Sequence, residues 1–182
     1  FLRWLSRADE PSRYGCTYTR GSLRQPLREK PTEGKRQALL ERYYIPHHQK
    51  PTDAVEESLL ANDHCLIIDR HSFPALPLRY ELNQTAFWPD FCIGMDDFHN
   101  PEELVAKVEK ELESLGYSTA REQPFSGTIV PMKHYHKDER VQLLMIEINR
   151  RLYVADDYSV DSERTETLVS MLGRVAEVLE DN

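Results

Sequence analysis

The chain has 182 residues, which is enough for one domain with a substantial hydrophobic core. Hydrophobic residues make up 40% of it and charged residues 30%, a balance typical of globular proteins rather than of disordered ones. The net charge of −8 argues against a nucleic-acid partner, and no apolar run approaches the ~20 residues that a membrane span needs. We therefore expect one domain over residues 1–182 that binds neither nucleic acid nor a membrane.

The cysteines do not form a structural framework. Cys16, Cys65 and Cys92 are odd in number, lie far apart and include no C-x-x-C pair, so we expect neither disulfides nor a thiolate zinc site. Cys65 and Cys92 lie in apolar runs, where a reduced cysteine behaves as a small hydrophobic residue. No basic start followed by an apolar stretch indicates a signal peptide. The expected location is the cytoplasm.

The first part of the chain predicts a loop, two helices and a strand. Residues 1–34 are rich in Arg, Pro, Gly and Ser without a clear period, which favours a loop. From Gly34 apolar residues recur at helical spacing until Pro46, which is expected to interrupt the helix before a second one runs to Asn62. The short apolar run Cys65–Ile68 then predicts a buried parallel strand.

The second part alternates strands and helices. Asn100 and Pro101 predict a helix start, with Asn100 as the N-cap, and Gly116 predicts its end. Apolar residues from Leu168 to Leu179 predict a closing amphipathic helix. Strands are expected at Phe91–Gly94, Tyr117–Ala120, Thr128–Val130 and Val141–Val154. This alternation predicts an α/β layer fold with a mainly parallel sheet.

His71 follows the predicted strand Cys65–Ile68 in the string Asp69-Arg-His-Ser72. Ligands of open α/β sheets bind beyond the carboxyl ends of strands, so a metal ligand or a catalytic base is expected at this place. Asp69 could orient the imidazole ring. A histidine that only caps a loop by hydrogen bonding explains the local sequence equally well.

Glu147 lies between Ile146 and Ile148 in the most apolar predicted strand. A buried ionised carboxylate costs several kcal/mol unless it is paired or bound to a metal, so Glu147 is expected to be protonated, paired or part of a site. Strand alternation would direct Glu147, Asn149 and Arg151 to one face. A structural pair between Glu147 and an arginine remains the alternative that these residues alone favour.

Two further segments have weaker signals. Ser126 and Gly127 lie in a turn whose flexible glycine would let backbone N–H groups approach a ligand. His134 and His136 could bind a metal, although a solvated loop explains them better.

Several strings, taken in order and spacing, resemble the N-formylglutamate amidohydrolase family. The resemblance extends from about Tyr14 to Tyr153. It is carried by YTRGSLRQPLR, RYYIPHH, IDRHSFP, PDFCIGMDDFH, PFSGTIVPMKHYH and MIEINRRLY.

This resemblance implies a fold similar to that of zinc carboxypeptidases and other phosphorylase/hydrolase-like proteins, a three-layer α/β/α arrangement with a central mixed, mainly parallel sheet. It implies hydrolysis of an anionic N-acyl amino acid, with N-formyl-L-glutamate giving formate and glutamate. His71 corresponds to a ligand of a single Zn²⁺ ion. Glu147 corresponds to the carboxylate that takes a proton from the attacking water.

The resemblance also suggests which residues bind substrate. We expect an arginine to bind the substrate carboxylates, because the planar guanidinium group binds a carboxylate through two hydrogen bonds. Strand alternation favours Arg151, with Arg150 next. Ser126 and Gly127 are expected to line the pocket.

The sequence departs from the family pattern in two informative ways. The family has two further metal ligands upstream, a histidine after a first strand and an acid in the next helix, and this chain is expected to lack that strand and helix and hence part of the zinc site. Glu122-Gln123 replaces a frequent Asn-Arg pair, and an acid there is expected to repel an anionic substrate. The alternatives are therefore a non-catalytic relative with an eroded metal site that acts as a binding module, and a peptidase or other amidase.

Overall fold

A computed structural model describes residues 19–21, 25–78, 84, 88–127 and 129–180. Its helices and strands alternate after an initial helical stretch. The helices are α1 (Glu33–Leu39), α2 (Ile45–Asn62), α3 (Glu102–Ser114) and α4 (Ser162–Glu180), with a π-helical segment at Leu40–Tyr44 and a 3₁₀ turn at Arg150–Leu152. The strands are β1 (Cys65–Phe73), β2 (Phe91–Gly94), β3 (Thr119–Arg121) and β4 (Val141–Asn149). None of these helices is both long enough and apolar enough to cross a membrane.

The four strands form one mixed sheet in the order β1-β4-β2-β3. β1 pairs with β4 in parallel and β2 pairs with β3 in parallel, whereas β2 and β4 are antiparallel. The longest pairing aligns nine residues of β1 with nine of β4, from Cys65 opposite Val141 to Phe73 opposite Asn149. The predicted α/β class with a mainly parallel sheet is confirmed.

Helices cover both faces of the sheet, as the alternation of side chains along β4 requires. Leu144 and Ile146 project to one face, where they form the main core with α3 and α4. Val141 and Leu143 project to the other face, where they pack against Val55 of α2. The result is the expected three-layer arrangement.

Two strand boundaries differ from the prediction, and both differences affect the site. β1 continues beyond Ile68 to Phe73, so His71 lies within the strand rather than after it. The apolar run ends early because β1 is an edge strand whose last residues are partly exposed. β4 ends at Asn149, and the chain then turns into the 3₁₀ segment. Strand alternation therefore does not extend to Arg151.

Other local predictions were also wrong. The chain stays helical through Pro46, because proline is tolerated in the first turn of α2. Asn100 does not cap α3, since its side chain bonds the Leu143 carbonyl and the Asp96 N–H. Residues 129–130 form no strand. Of the predicted N-terminal loop, residues 1–18 and 22–24 lie outside the described part.

Because α3 packs tightly against the sheet, shortening one buried side chain of this helix should lower the free energy of unfolding measurably. Val105 is fully buried in α3, whereas Val169 in α4 is 63% exposed. We expect Val105→Ala to lower the free energy of unfolding by about 2 kcal/mol, through lost burial and the cavity left behind. Val169→Ala, the matched control, should change it by less than about 0.5 kcal/mol. Equal effects in urea denaturation would contradict this packing.

Candidate active site

The two residues with the strongest functional signals lie side by side on the sheet. His71 of β1 is the register partner of Glu147 of β4, and Cys92 of β2 is the partner of Glu147 on its other side. Residues that pair directly in a sheet point to the same face. His71, Glu147 and Cys92 therefore form a row across three strands, on the face that α2 partly covers.

Asp69 belongs to the same face and contacts the histidine directly. Its Oδ1 lies 3.0 Å from Nε2 of His71. An imidazole that donates its Nε2–H to a carboxylate has its Nδ1 lone pair available for another partner. The two residues are spaced two apart in β1, which is why strand alternation brings them together. Asp69 is thus well placed to orient His71.

Glu147 has the electrostatics of a poised acid–base group. Burial raises the pKa of Glu147, and the nearby Asp69 acts in the same direction. The charges of His71 and Arg150 partly offset this effect by favouring the ionised form. One oxygen of Glu147 and one of Asp69 are buried and have no hydrogen-bond partner among the described residues. Buried carboxylate oxygens of this kind favour a proton, a cation or a polar ligand beside them.

The two candidate arginines have different partners. Arg150 donates from Nε to Ser72 Oγ and from Nη2 to the Ser72 carbonyl, both at 3.2 Å, and it influences Glu147 electrostatically. Arg151 donates from Nε and Nη2 to Oδ1 of Asp90, at 3.1 and 2.9 Å. Because Arg151 is held by Asp90, Arg150 is the better placed of the two for a substrate carboxylate. Their substrate-binding roles remain predictions.

A loop after β3 forms the wall of the site on the side of β2. The Cys92 thiol donates to the Phe125 carbonyl at 3.1 Å, and the Phe125 ring packs 5.6 and 5.7 Å from the rings of Phe73 and Trp88. Burial raises the pKa of Cys92 to about 11, which keeps this thiol protonated as a donor. The loop backbone lies so close to the sheet that a side chain at Gly94 would collide with the Gly127 carbonyl.

Gly127 and Ser126 are at the tip of this loop. Gly127 has a positive φ of 86°, and its N–H donates to the Glu122 carboxylate rather than pointing into open space. Ser126 is exposed. Their expected role in lining the pocket stays a prediction. No local pattern singles out Trp88 and Phe125, since aromatic residues in apolar runs normally indicate core packing.

The described residues do not by themselves form a zinc site. The donor types on this face, one imidazole and two carboxylates with unpartnered oxygens, suit a cation. However, no three His, Cys, Asp or Glu side chains in the described part of the chain converge to hold a metal ion. His71 as a zinc ligand is therefore still a prediction, because zinc normally takes three or four protein ligands and the described donors do not converge to supply them.

The second group of histidines has a structural arrangement. His136 bonds both oxygens of Asp96 through Nε2, at 3.0 and 2.8 Å. His99 is buried, lies 2.7 Å from the Val141 carbonyl through Nδ1 and accepts the His136 backbone N–H. These bonds fasten the segment after β2 to the start of β4. The sequence favoured a solvated loop here, but the structure bonds His136 to Asp96 and buries His134.

Comparison with known proteins gives the family. A family model described as N-formylglutamate amidohydrolase matches residues 7–154. The fold is similar to a crystal structure of N-formylglutamate amidohydrolase from Ralstonia eutropha JMP134, with 25% identity, a TM-score of 0.75 and coverage of 93% of this chain and 63% of that one. It is also similar to the gene product Atu2144 from Agrobacterium tumefaciens, with 16% identity, a TM-score of 0.63 and coverage of 90% and 60%. No curated protein matched the sequence.

The three-layer fold, with its row of polar residues across one face of the sheet, thus defines an α/β protein with a candidate site among the described residues. The family match covers most of the chain, so this protein belongs to the N-formylglutamate amidohydrolase family. The chain spans less than two thirds of the length of either solved relative.

A variant of Asp90 tests whether the hydrogen bonds that Asp90 accepts from Ser118 and Arg151 stabilise the fold. Hydrogen bonds from Ser118 and Arg151 outweigh the opposing effect of burial and lower the pKa of Asp90. A carboxylate whose folded pKa lies below its unfolded value of about 4 stabilises the fold at neutral pH. That contribution is lost as the pH falls from about 4 through the folded pKa.

We therefore expect Asp90→Asn to lower the free energy of unfolding by about 1–2 kcal/mol at pH 7, with the difference from wild type shrinking in acid. Denaturant unfolding at a series of pH values measures this. Asp156→Asn, at an exposed position, is the control and should show no such pH dependence. A difference between wild type and Asp90→Asn that stays constant into acid would refute the pairing.

Proposed function

We propose that the protein hydrolyses the amide bond of an anionic N-acyl amino acid, the reaction that converts N-formyl-L-glutamate to formate and glutamate. The observation that carries this proposal is the pairing of His71 with Glu147 on one face of the sheet, with Asp69 beside them. Membership of the family supports hydrolysis of an amide.

Glu147 is the residue proposed to move protons. Burial raises the pKa of its carboxyl group, and a carboxylate with a raised pKa takes a proton from water more effectively than an ordinary exposed carboxylate. The water then attacks the amide carbonyl carbon. The same carboxyl group returns the proton to the leaving amine, so that one residue serves both steps.

His71 and Arg150 have supporting roles in this proposal. His71, oriented by Asp69, presents its second nitrogen to the space beside Glu147. Arg150 lies next to that space and would bind the substrate carboxylate with the N–H groups that Ser72 does not use. Arg151, which Asp90 holds, contributes by fixing the end of β4.

We also propose that His71 is one ligand of a zinc ion, which would polarise the amide carbonyl when bound. The donors on this face fit such an ion in chemical type but not in arrangement, because no three of the described residues converge on one point. The remaining ligands would have to come from elsewhere in the protein. A cytoplasmic location is consistent with the free, buried thiols of Cys65 and Cys92.

The lack of a convergent ligand set among the described residues also supports a second candidate function. A family member without a complete ligand set would keep the pocket and lose the chemistry, and it would then act as a binding module for N-acyl amino acids. Binding without turnover by the full-length protein, with or without added zinc, would favour this alternative.

The first test replaces the proposed base. In the full-length protein we expect Glu147→Gln to lower kcat for N-formyl amino acids by about 10²–10⁴-fold, because the amide cannot accept the proton, while substrate binding persists. Glu139→Gln, an exposed acid changed in the same way, is the control and should keep full activity. Near-normal turnover in Glu147→Gln would exclude Glu147 as the base, and loss of metal in this variant would make it a ligand instead.

The second test concerns the metal. Because about three protein ligands are normally needed, we expect the 182-residue chain on its own to bind zinc weakly or not at all in a calorimetric titration of the metal-free protein. Tight binding of one equivalent would contradict this expectation. His134→Ala and His136→Ala would then identify whether those side chains supply the missing ligands.

A further inference from the structure

Glu122 places a fixed negative charge in the wall of the site. It follows β3 with a φ of 57°, and its own N–H donates to the Ile93 carbonyl at 2.9 Å. This turn directs its carboxylate back toward β2, where it accepts the Met95 N–H and, at 3.3–3.4 Å, the Gly127 N–H. The carboxylate is thus held by backbone amides, which fix its position without cancelling its charge with a cation.

This charge is within electrostatic reach of the row that contains Glu147. The Cys92 thiol is the register neighbour of Glu147, and the charges of both Glu147 and Glu122 raise the pKa of Cys92. The loop that Glu122 anchors also bonds Cys92 through the Phe125 carbonyl. Glu122 therefore belongs to the same site as Glu147, on the side of β2 and β3.

The positive charge lies on the opposite side. Arg150 is bonded to Ser72 of β1 and favours the ionised form of Glu147. The strand order is β1-β4-β2-β3, Arg150 is bonded to Ser72 of β1, and Glu122 is bonded to Met95 after β2, so the two charges lie on opposite sides of β4. Asp69, also on β1, adds a negative charge on the first side, where His71 and Arg150 are the cations that act on Glu147. A single guanidinium matches a single substrate carboxylate. A second carboxylate that reached across Glu147 would meet a like charge.

We propose that Glu122 determines specificity, and that the preferred substrates are N-acyl amino acids with one carboxylate and an uncharged side chain rather than diacids. This inference rests on the proposed hydrolytic function. N-formyl-L-glutamate remains a substrate of the reaction, and its relatives with an uncharged side chain are the preferred ones. In this arrangement the α-carboxylate of the substrate binds Arg150 and its amide lies over Glu147. The substrate's side chain, nearest the Phe125–Gly127 loop, is uncharged.

The test compares two substrates of nearly equal shape, N-formyl-L-glutamine and N-formyl-L-glutamate, on the full-length protein. For wild type, kcat/KM should be about tenfold higher for the glutamine derivative, as expected for a like charge at a partly shielded distance. Raising the ionic strength should reduce this ratio. The wild-type comparison needs no variant and is therefore independent of any effect on folding.

Glu122→Gln then removes the charge and keeps an oxygen that accepts an N–H. It should raise the ratio of kcat/KM for N-formyl-L-glutamate to kcat/KM for N-formyl-L-glutamine about five- to tenfold. Because both substrates meet the same variant, this ratio cancels any general effect of the substitution on the site. Wild-type preference for the diacid, or an unchanged ratio in Glu122→Gln, would overturn the specificity role alone. If neither compound is hydrolysed or bound, the proposed function fails and this inference fails with it.

Discussion

The parallel pairing of β1 with β4 is the constraint on which the whole site depends. Nine residue pairs hold the two strands in one register, and that register alone sets His71 beside Glu147. A slip of one residue would turn every side chain of β1 to the opposite face. The alternative register would bury Arg70 among the apolar residues on the α2 side of the sheet. The hydrophobic pattern of β1 therefore selects the register that places His71 beside Glu147.

The row of His71, Glu147 and Cys92 lowers the stability of the fold because it contains a half-buried carboxylate, and neighbouring positive charges limit that loss. Glu147 interrupts a strand whose buried residues, apart from Asn149 at its end, are apolar, and an isolated buried carboxylate would cost several kcal/mol. His71 and Arg150 offset part of this cost, whereas Asp69 adds to it. A group kept in a destabilising environment is a sign of a functional site. The unpartnered oxygens of Asp69 and Glu147 are consistent with a ligand that completes them.

Much of the fold could be predicted from the sequence because its periodic segments are long. The amphipathic spacing of α3 and α4 and the apolar runs of β2 and β4 determined the alternation of helices and strands, and hence the layers. The boundaries were less predictable. β1 continues through Asp69-Arg-His-Ser72, where polar residues hide the strand because its edge faces solvent and its inner face carries the site.

The site was predictable in part. The sequence singled out His71 and Glu147 because a histidine near a strand end and an acid within an apolar strand are both unusual. The structure places them side by side, and their roles in a site stay predictions. Arg151 was chosen by extending strand alternation past Asn149, where a side-chain cap to the Arg151 N–H begins the 3₁₀ turn instead. The anchoring of Glu122 by two backbone amides depends on a long-range contact that no local pattern encodes.

If His71 and Glu147 act as one unit in hydrolysis, a double-mutant cycle on kcat/KM measures their coupling. The single variants His71→Ala and Glu147→Gln and their combination would be compared in the full-length protein with the substrate that it turns over best. Residues that act together are strongly non-additive, so the double variant should be little worse than the poorer single variant. Losses that multiply would contradict the claim, because they would show two independent contributions.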